Sequence, residues 1–259
     1  MQAATPVLET RDLTIRFGGH TAVDRVSCAF QRGTLTAIVG PNGAGKTTYF
    51  NLISGQLPAS AGRVLLLGKD ITGQRASRRA HAGIARAFQL TNLFPNLSVR
   101  ENVRLAVQAR AGVKFSCFAM ADRRIDLIET ADRILTQVNL IERAGQPASS
   151  LPHGGQRRLE VALLMAMERD ILMFDEPTAG MSADEVPVIL DLIATLKRDT
   201  SKTILLVEHK MDVIRSLADR IVVLHNGQLV ADGEPAAVMA SPVVREAYLG
   251  IAAEAHAHG

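Results

Sequence analysis

A chain of 259 residues that is 47% apolar is long enough to bury a sizeable core, but it has no run of about 18 apolar residues, so no membrane-spanning helix is expected. Two cysteines, Cys28 and Cys117, are too few for a disulfide framework or a zinc cage. Residues 1–10 carry Glu9 and no basic segment followed by an apolar run, which argues against a secretory or transit signal and for the cytoplasm. The formal charge of +3 suits anionic ligands, nucleic acid or an acidic membrane face alike.

In chain order, Val7 to Phe17 alternates apolar and polar residues through Leu8, Leu13, Ile15 and Phe17, the pattern of an antiparallel strand, and Gly18-Gly19 turns it. Leu35 to Val39 is a short apolar run ending on glycine, followed by a glycine-rich loop and a helical pattern through Tyr49, Phe50, Leu52 and Ile53. Ser98-Val99-Arg100-Glu101 forms a capping box, and Ile125, Ile128, Ala131, Ile134, Leu135 and Val138 trace one apolar helical stripe. Ile171 to Phe174 and Thr203 to Val207 have no solvent face, as parallel strands covered on both sides require. A helical stretch through Val188, Leu192 and Leu196 separates them. Arg220 to Leu224 and Gln228 to Ala231 flank Asn226-Gly227, a strong hairpin signal.

This order predicts a single α/β domain over residues 1–259. Residues 1–90 and 168–240 form its core, 91–167 an inserted helical subdomain and 241–259 a tail. Arg75, Arg78, Arg79 and Arg86 make a basic run, read as a solvated face in preference to a nucleic-acid surface. Val113 to Met120 is an apolar patch in the helical insertion that suits either core packing or a partner surface.

Three motifs carry chemistry. In Gly40-Pro41-Asn42-Gly43-Ala44-Gly45-Lys46-Thr47, glycines let backbone N–H groups surround phosphates, Lys46 supplies charge and Thr47 can ligate magnesium. The strand before this loop and the helix after it add the positive end of a helix dipole. Asp175-Glu176 follows an apolar strand: Asp175 can hold magnesium while Glu176 orients or deprotonates an attacking water. Leu151-Pro152-His153-Gly154-Gly155-Gln156 opens a second helix whose amino terminus is also suited to an anion. A chain with two phosphate-seeking ends suggests a two-fold dimer in which each helix end completes its partner's site.

Together these residues resemble the ATP-binding cassette family from Leu8 to about Gly233. The resemblance implies a P-loop NTPase sheet core, an antiparallel β subdomain and an inserted α-helical subdomain. It implies an ATPase using ATP and magnesium, with nucleotide held by Phe17 stacked on adenine, by Gly40 to Thr47 with Thr48, and by Gly154 and Gly155. Gln89 is the loop glutamine near magnesium and the attacking water, and His209 the switch histidine near the γ-phosphate. The implied metal ligands are Thr47, Gln89 and Asp175, and the implied catalytic group is Glu176, His209, Gln89 and Lys46. Ala179-Gly180-Met181-Ser182 falls where the family has a dimer-contacting loop.

Phe17-Gly18-Gly19, Gln156 to Glu160, Val207-Glu208-His209 with Met211-Asp212, and Glu246 to Gly250 are similar to the branched-chain amino acid importer branch, whose related members serve amides and urea. The resemblance implies a second ATP-binding subunit, identical or not, transmembrane permease subunits, indirectly a solute-binding protein, and a place on the inner face of the cell membrane; no nucleic-acid partner is expected. Two alternatives stand: a soluble cassette ATPase acting on nucleic acid or ribosomes, and a regulatory cassette with weak hydrolysis. Pro152 departs from the family's usual serine and lacks both its hydroxyl and a backbone N–H, which predicts altered rather than abolished activity. Lys210 replaces a common acidic residue without removing a required group.

Overall fold

The computed structural model describes residues 5–87, 93–111, 120–242 and 244, with side chains from 125 onward in the second helical stretch. These fall into two compact units. One contains the described residues up to Ile84, Asp170–Glu176 and those from Leu196 on; the other contains those from Ala85 to Arg169 and Pro177–Thr195.

The first unit opens with β1 (Leu8–Phe17) and β2 (His20–Phe30), then β3 (Leu35–Val39), α1 (Lys46–Ser54), β4 (Ala61–Leu66), β5 (Lys69–Asp70) and α2 (Ala76–Ala82). β6 (Ile84–Ala87) lies at the unit boundary. The antiparallel sheet has the order β2-β1-β4-β5, and Gly18-Gly19 closes its first hairpin with Phe17 opposite His20. Later come β7 (Ile171–Asp175), β8 (Thr203–Val207), α7 (Met211–Leu217), β9 (Arg220–His225), β10 (Gln228–Gly233) and α8 (Pro235–Ala240).

Within this unit the second sheet runs β10-β9-β3-β8-β7. β3 pairs in parallel with both β8 and β9, and β8 in parallel with β7. All five positions of β3, β7 and β8 are buried, so the apolar runs have no solvent face, as parallel strands demand. The β9–β10 hairpin turns at Asn226 and Gly227, both with positive φ (48° and 75°), the backbone a tight two-residue hairpin needs.

Phe30, Tyr49, Phe50, Ile53, Met173 and Leu205 belong to one buried cluster, each such side chain contributing roughly 1.5–3 kcal/mol by its removal from water. The Tyr49 hydroxyl is 2.7 Å from Thr10 Oγ1 and ties α1 to the antiparallel sheet. Cys28 packs in the same cluster, and burial pushes its thiol up to about 11, the state of an inert packing residue.

The second unit holds α3 (Val99–Arg110), α4 (Met120–Gln137), α5 (His153–Met167) and most of α6 (Val186–Arg198). Ser98 caps α3 by accepting the Glu101 N–H at 3.1 Å, as the capping box predicts. The buried Asn102 side chain accepts the Phe94 N–H and donates to Phe94 and Ser98 carbonyls, fixing the chain that enters this helix.

The α4 stripe buries Ala131, Ile134, Leu135 and Val138, but Ile128 is only half-buried and Ile125 is 59% exposed, so the apolar face extends beyond the packed part of the helix. The arginine run is no uniform solvated face: Arg75 and Arg78 are exposed and Arg86 half-buried, but Arg79 is 2% exposed. Of the patch Val113 to Met120, Val113 to Ala119 lie outside the described residues, as does the segment Glu246 to Gly250. No helix among the described residues is long and apolar enough to cross a membrane.

Candidate functional site

The loop after β3 is shaped by positions that exclude a side chain. Gly40 has φ 148°, and a Cβ there would fall 2.1 Å from the Leu224 carbonyl oxygen. Gly45 caps α1 with φ 93°, and a Cβ on it would fall 2.5 Å from the Ala22 carbonyl oxygen. Gly227 N–H donates to Ala44 O at 3.1 Å from beneath. Pro41, Asn42 and Gly43 form the outer part of the loop, and Thr47 and Thr48 are half-buried in the first turn of α1. With glycine as its cap, α1 has no side-chain hydrogen bond at its amino terminus, which leaves that end suited to an anion.

Lys46 is 7% exposed and folds back over the loop, its Nζ donating to Gly40 O at 2.7 Å and Pro41 O at 2.9 Å. Burial pushes its ammonium below the ordinary lysine value, against the opposing pull of Glu176 and Asp175. Strand register explains why those carboxylates are near. Val207 of β8 aligns with Ile38 of β3 on one side and Asp175 of β7 on the other, so the carboxyl ends of three adjacent strands deliver the phosphate loop, Asp175-Glu176 and His209 to one rim, where ligands bind parallel sheets.

Glu176 holds φ 50°, and its N–H donates to Val207 O at 2.9 Å. A non-glycine residue in this region is strained, and such strain gathers at functional positions. His209 is half-exposed, and its N–H donates to the fully buried Glu208 Oε2 at 2.8 Å, with Nδ1 3.4 Å from the same oxygen. Glu208 was not anticipated as a site residue; the carboxylate ending an otherwise apolar run was the available signal. Phe17, at the end of β1, is 49% exposed, so its ring is free to stack. Thr47 and Asp175 offer oxygen donors only, the chemistry hard cations prefer. Gln89 lies outside the described residues.

The second glycine-led helix belongs to the other unit. Pro152 is the N-cap of α5 and gives no side-chain bond. Gly154 and Gly155 are buried in its first turn, and a Cβ on Gly154 would fall 2.0 Å from Glu185 Oε1. Glu185 is itself held by Ser182, whose hydroxyl donates to Oε2 at 3.0 Å. A Cβ on Gly180 would lie 3.4 Å from His153 Cε1, which brings the loop of Ala179 to Ser182 beside the start of α5.

Farther along α5 a cleft of about 470 Å³ is lined by Phe94, Leu105, Ala109, Leu163 and Met167, with Glu160 among its walls. Glu160 is 6% exposed, its Oε2 receives Arg157 Nη1 at 3.1 Å, and its Oε1 has no hydrogen-bond partner. Burial pushes its carboxyl above the ordinary value, with Arg157 pulling the other way.

Residues 23–179 match the sequence profile of the ABC transporter family, and residues 228–254 that of the branched-chain amino acid ATP-binding cassette transporter. The chain is 38% identical over 252 residues to the high-affinity branched-chain amino acid transport ATP-binding protein BraF of Pseudomonas aeruginosa, covering 95% of this chain and 98% of that protein. It is 37% identical over 250 residues to the corresponding LivG protein of Escherichia coli K12, with the same coverage. Among solved structures, an ATP-binding cassette of an ABC transporter in its ADP conformation superposes with a TM-score of 0.79 at 30% identity, covering 94% of this chain and 98% of that one.

Proposed function

Because the chain belongs to the ABC transporter family, as an ATP-hydrolysing subunit homologous to the branched-chain amino acid importer ATPases, we propose that it drives uptake of branched-chain amino acids or related small polar solutes such as amides or urea. The observation that carries this reading is the convergence of Lys46 with Asp175 and Glu176 at the carboxyl ends of buried parallel strands.

In this reading the phosphate loop and the bare amino terminus of α1 bind the β- and γ-phosphates of ATP, with Lys46 exchanging its bonds to Gly40 O and Pro41 O for phosphate oxygens. Phe17 stacks on adenine. Thr47 and Asp175, with Gln89, would hold a magnesium ion, which would supply positive charge to offset that of the phosphates. Glu176 accepts the proton of the attacking water, and His209, steadied by Glu208, faces the γ-phosphate.

Two cassettes, identical or not, close so that Gly154 and Gly155 at the start of α5 complete the nucleotide site of the partner. Closure pulls on transmembrane permease subunits at the inner face of the membrane, and a solute-binding protein presents the cargo. The cleft beside α5 receives a helical segment of the permease. Its apolar walls suit such a segment, and the free oxygen of Glu160 calls for a hydrogen-bond donor or cation on it.

The test is native purification of the tagged chain from detergent-solubilised membranes, with ATP turnover measured in the complex. Hydrophobic multi-span proteins are expected to co-purify. Glu176→Gln is expected to lower turnover roughly hundredfold or more while ATP binding persists. A chain recovered only with nucleic acid or ribosomes, or a Glu176→Gln variant with full turnover, would sink the proposal.

A further inference from the structure

We propose that Arg79 is a positioning residue for the phosphate loop, acting from the far end of the helix that the loop introduces. The inference rests on the reading that this loop binds nucleotide phosphates. Arg79 comes from α2 and is 2% exposed. Its Nη1 donates to Leu52 O at 2.7 Å and to Ile53 O at 2.8 Å, both carbonyls of the last turn of α1. Its Nη2 donates to Thr72 O at 2.7 Å and its Nε to Gln74 O at 3.0 Å. One planar group therefore clamps the carboxyl terminus of α1 to the loop after β5. These four bonds all go to main-chain carbonyls.

The chain keeps a berth for this cation. Gly55 ends α1 with φ 79°, and a Cβ on it would fall 2.8 Å from Arg79 Nε and 3.0 Å from Gln74 O. Carbonyls at the end of a helix lack intrahelical partners, and that end carries about half a negative charge. A buried guanidinium satisfies both needs, whereas a buried cation placed only to fill space would cost free energy that a methionine or leucine would not.

The geometry has a further effect at the other end. α1 is nine residues long, about 13 Å at 1.5 Å per residue, and its amino terminus is capped only by Gly45. With its carboxyl end fixed and neutralised, the helix presents its first N–H groups to the phosphates along a set axis. Arg79 reaches no reacting atom and acts through α1 alone.

The experiment uses the purified full chain, with ATP and AMP affinities and thermal unfolding measured for Arg79→Met, Arg79→Lys and Lys46→Ala. Arg79→Met is expected to weaken ATP roughly tenfold and AMP far less, because AMP lacks the phosphates that the loop holds. Arg79→Lys, which keeps the charge and loses the fork, is expected to recover part of the loss. An Arg79→Met chain that melts earlier but binds ATP and AMP as the wild type does in its folded range overturns the proposal. Should Arg79→Met fail to fold, Arg79→Lys decides by the same ATP-to-AMP ratio, and an unchanged ratio overturns the proposal. Lys46→Ala separates the two failures: if it too leaves ATP affinity intact, the loop is not the phosphate site and the proposal falls with that reading.

Discussion

The two glycine-led helices, α1 after Gly40 to Gly45 and α5 after Leu151-Pro152, differ in what occupies the space a side chain would take. At Gly40 and Gly45 the obstacles are backbone carbonyls of Leu224 and Ala22, and both glycines hold positive φ. At Gly154 the obstacle is the carboxylate of Glu185, and the glycine sits in ordinary helical backbone. Backbone obstacles cannot yield without moving strands; a carboxylate can swing aside. The first helix end is thus shaped by the fold itself, the second by a side chain that is able to move.

Alanine substitutions test that contrast most severely. Gly40→Ala is expected to cost roughly 3 kcal/mol or more, since it forces a Cβ into the Leu224 carbonyl at a φ that alanine avoids, and to abolish ATP binding in a filter or fluorescence assay. Gly154→Ala is expected to fold and to bind ATP as a single chain, with turnover in the assembled complex falling roughly tenfold. If the two variants lose ATP binding equally, the contrast is false.

A smaller effect is expected from Pro152→Ser, which adds the missing cap to α5. It should raise thermal stability by about 1 kcal/mol and raise ATP turnover about two- to fivefold through the new hydroxyl. Equal turnover in the two proteins would remove any role for the departure at Pro152.

The smallest effect concerns the acid buried along α5. Because folded Glu160 keeps its proton to higher pH than the unfolded chain does, it makes stability fall as pH rises from the ordinary carboxyl value through the folded value. Glu160→Gln should flatten that slope in denaturant titrations across the same range, and a slope identical to the wild type would show that the cleft wall is not the source.

Much of the first unit was legible because its signals are local. β3, β7 and β8 announced themselves as apolar runs without a polar face, and Asn226-Gly227 marked its hairpin. The phosphate loop carries its own spacing, whereas its closeness to Asp175 and Glu176 depends on strand register that no local pattern encodes. The burial of Arg79 was illegible for the same reason. In sequence it stands among exposed arginines, and the carbonyls that receive it come from Leu52, Ile53, Thr72 and Gln74. Glu160 is similar: the sequence places it in the helix after Gly154 and Gly155, but the cleft it lines requires α3 alongside α5. Ile125 fails in the opposite direction, since a stripe predicts which face is apolar and not how far the neighbouring helices reach.

The phosphate loop also has a history within the life of each chain. Its strand, β3, lies between β8 and β9, and its floor is made by Leu224 and Gly227, all of which follow it by most of the chain. During synthesis the residues of this loop exist long before anything gives them their shape. Such distant pairings are slow to form, because the loop they close must be ordered first. The shape of the loop therefore arrives late, with the hairpin at Asn226-Gly227 that packs against it, and an interrupted chain carries the loop's sequence without its conformation.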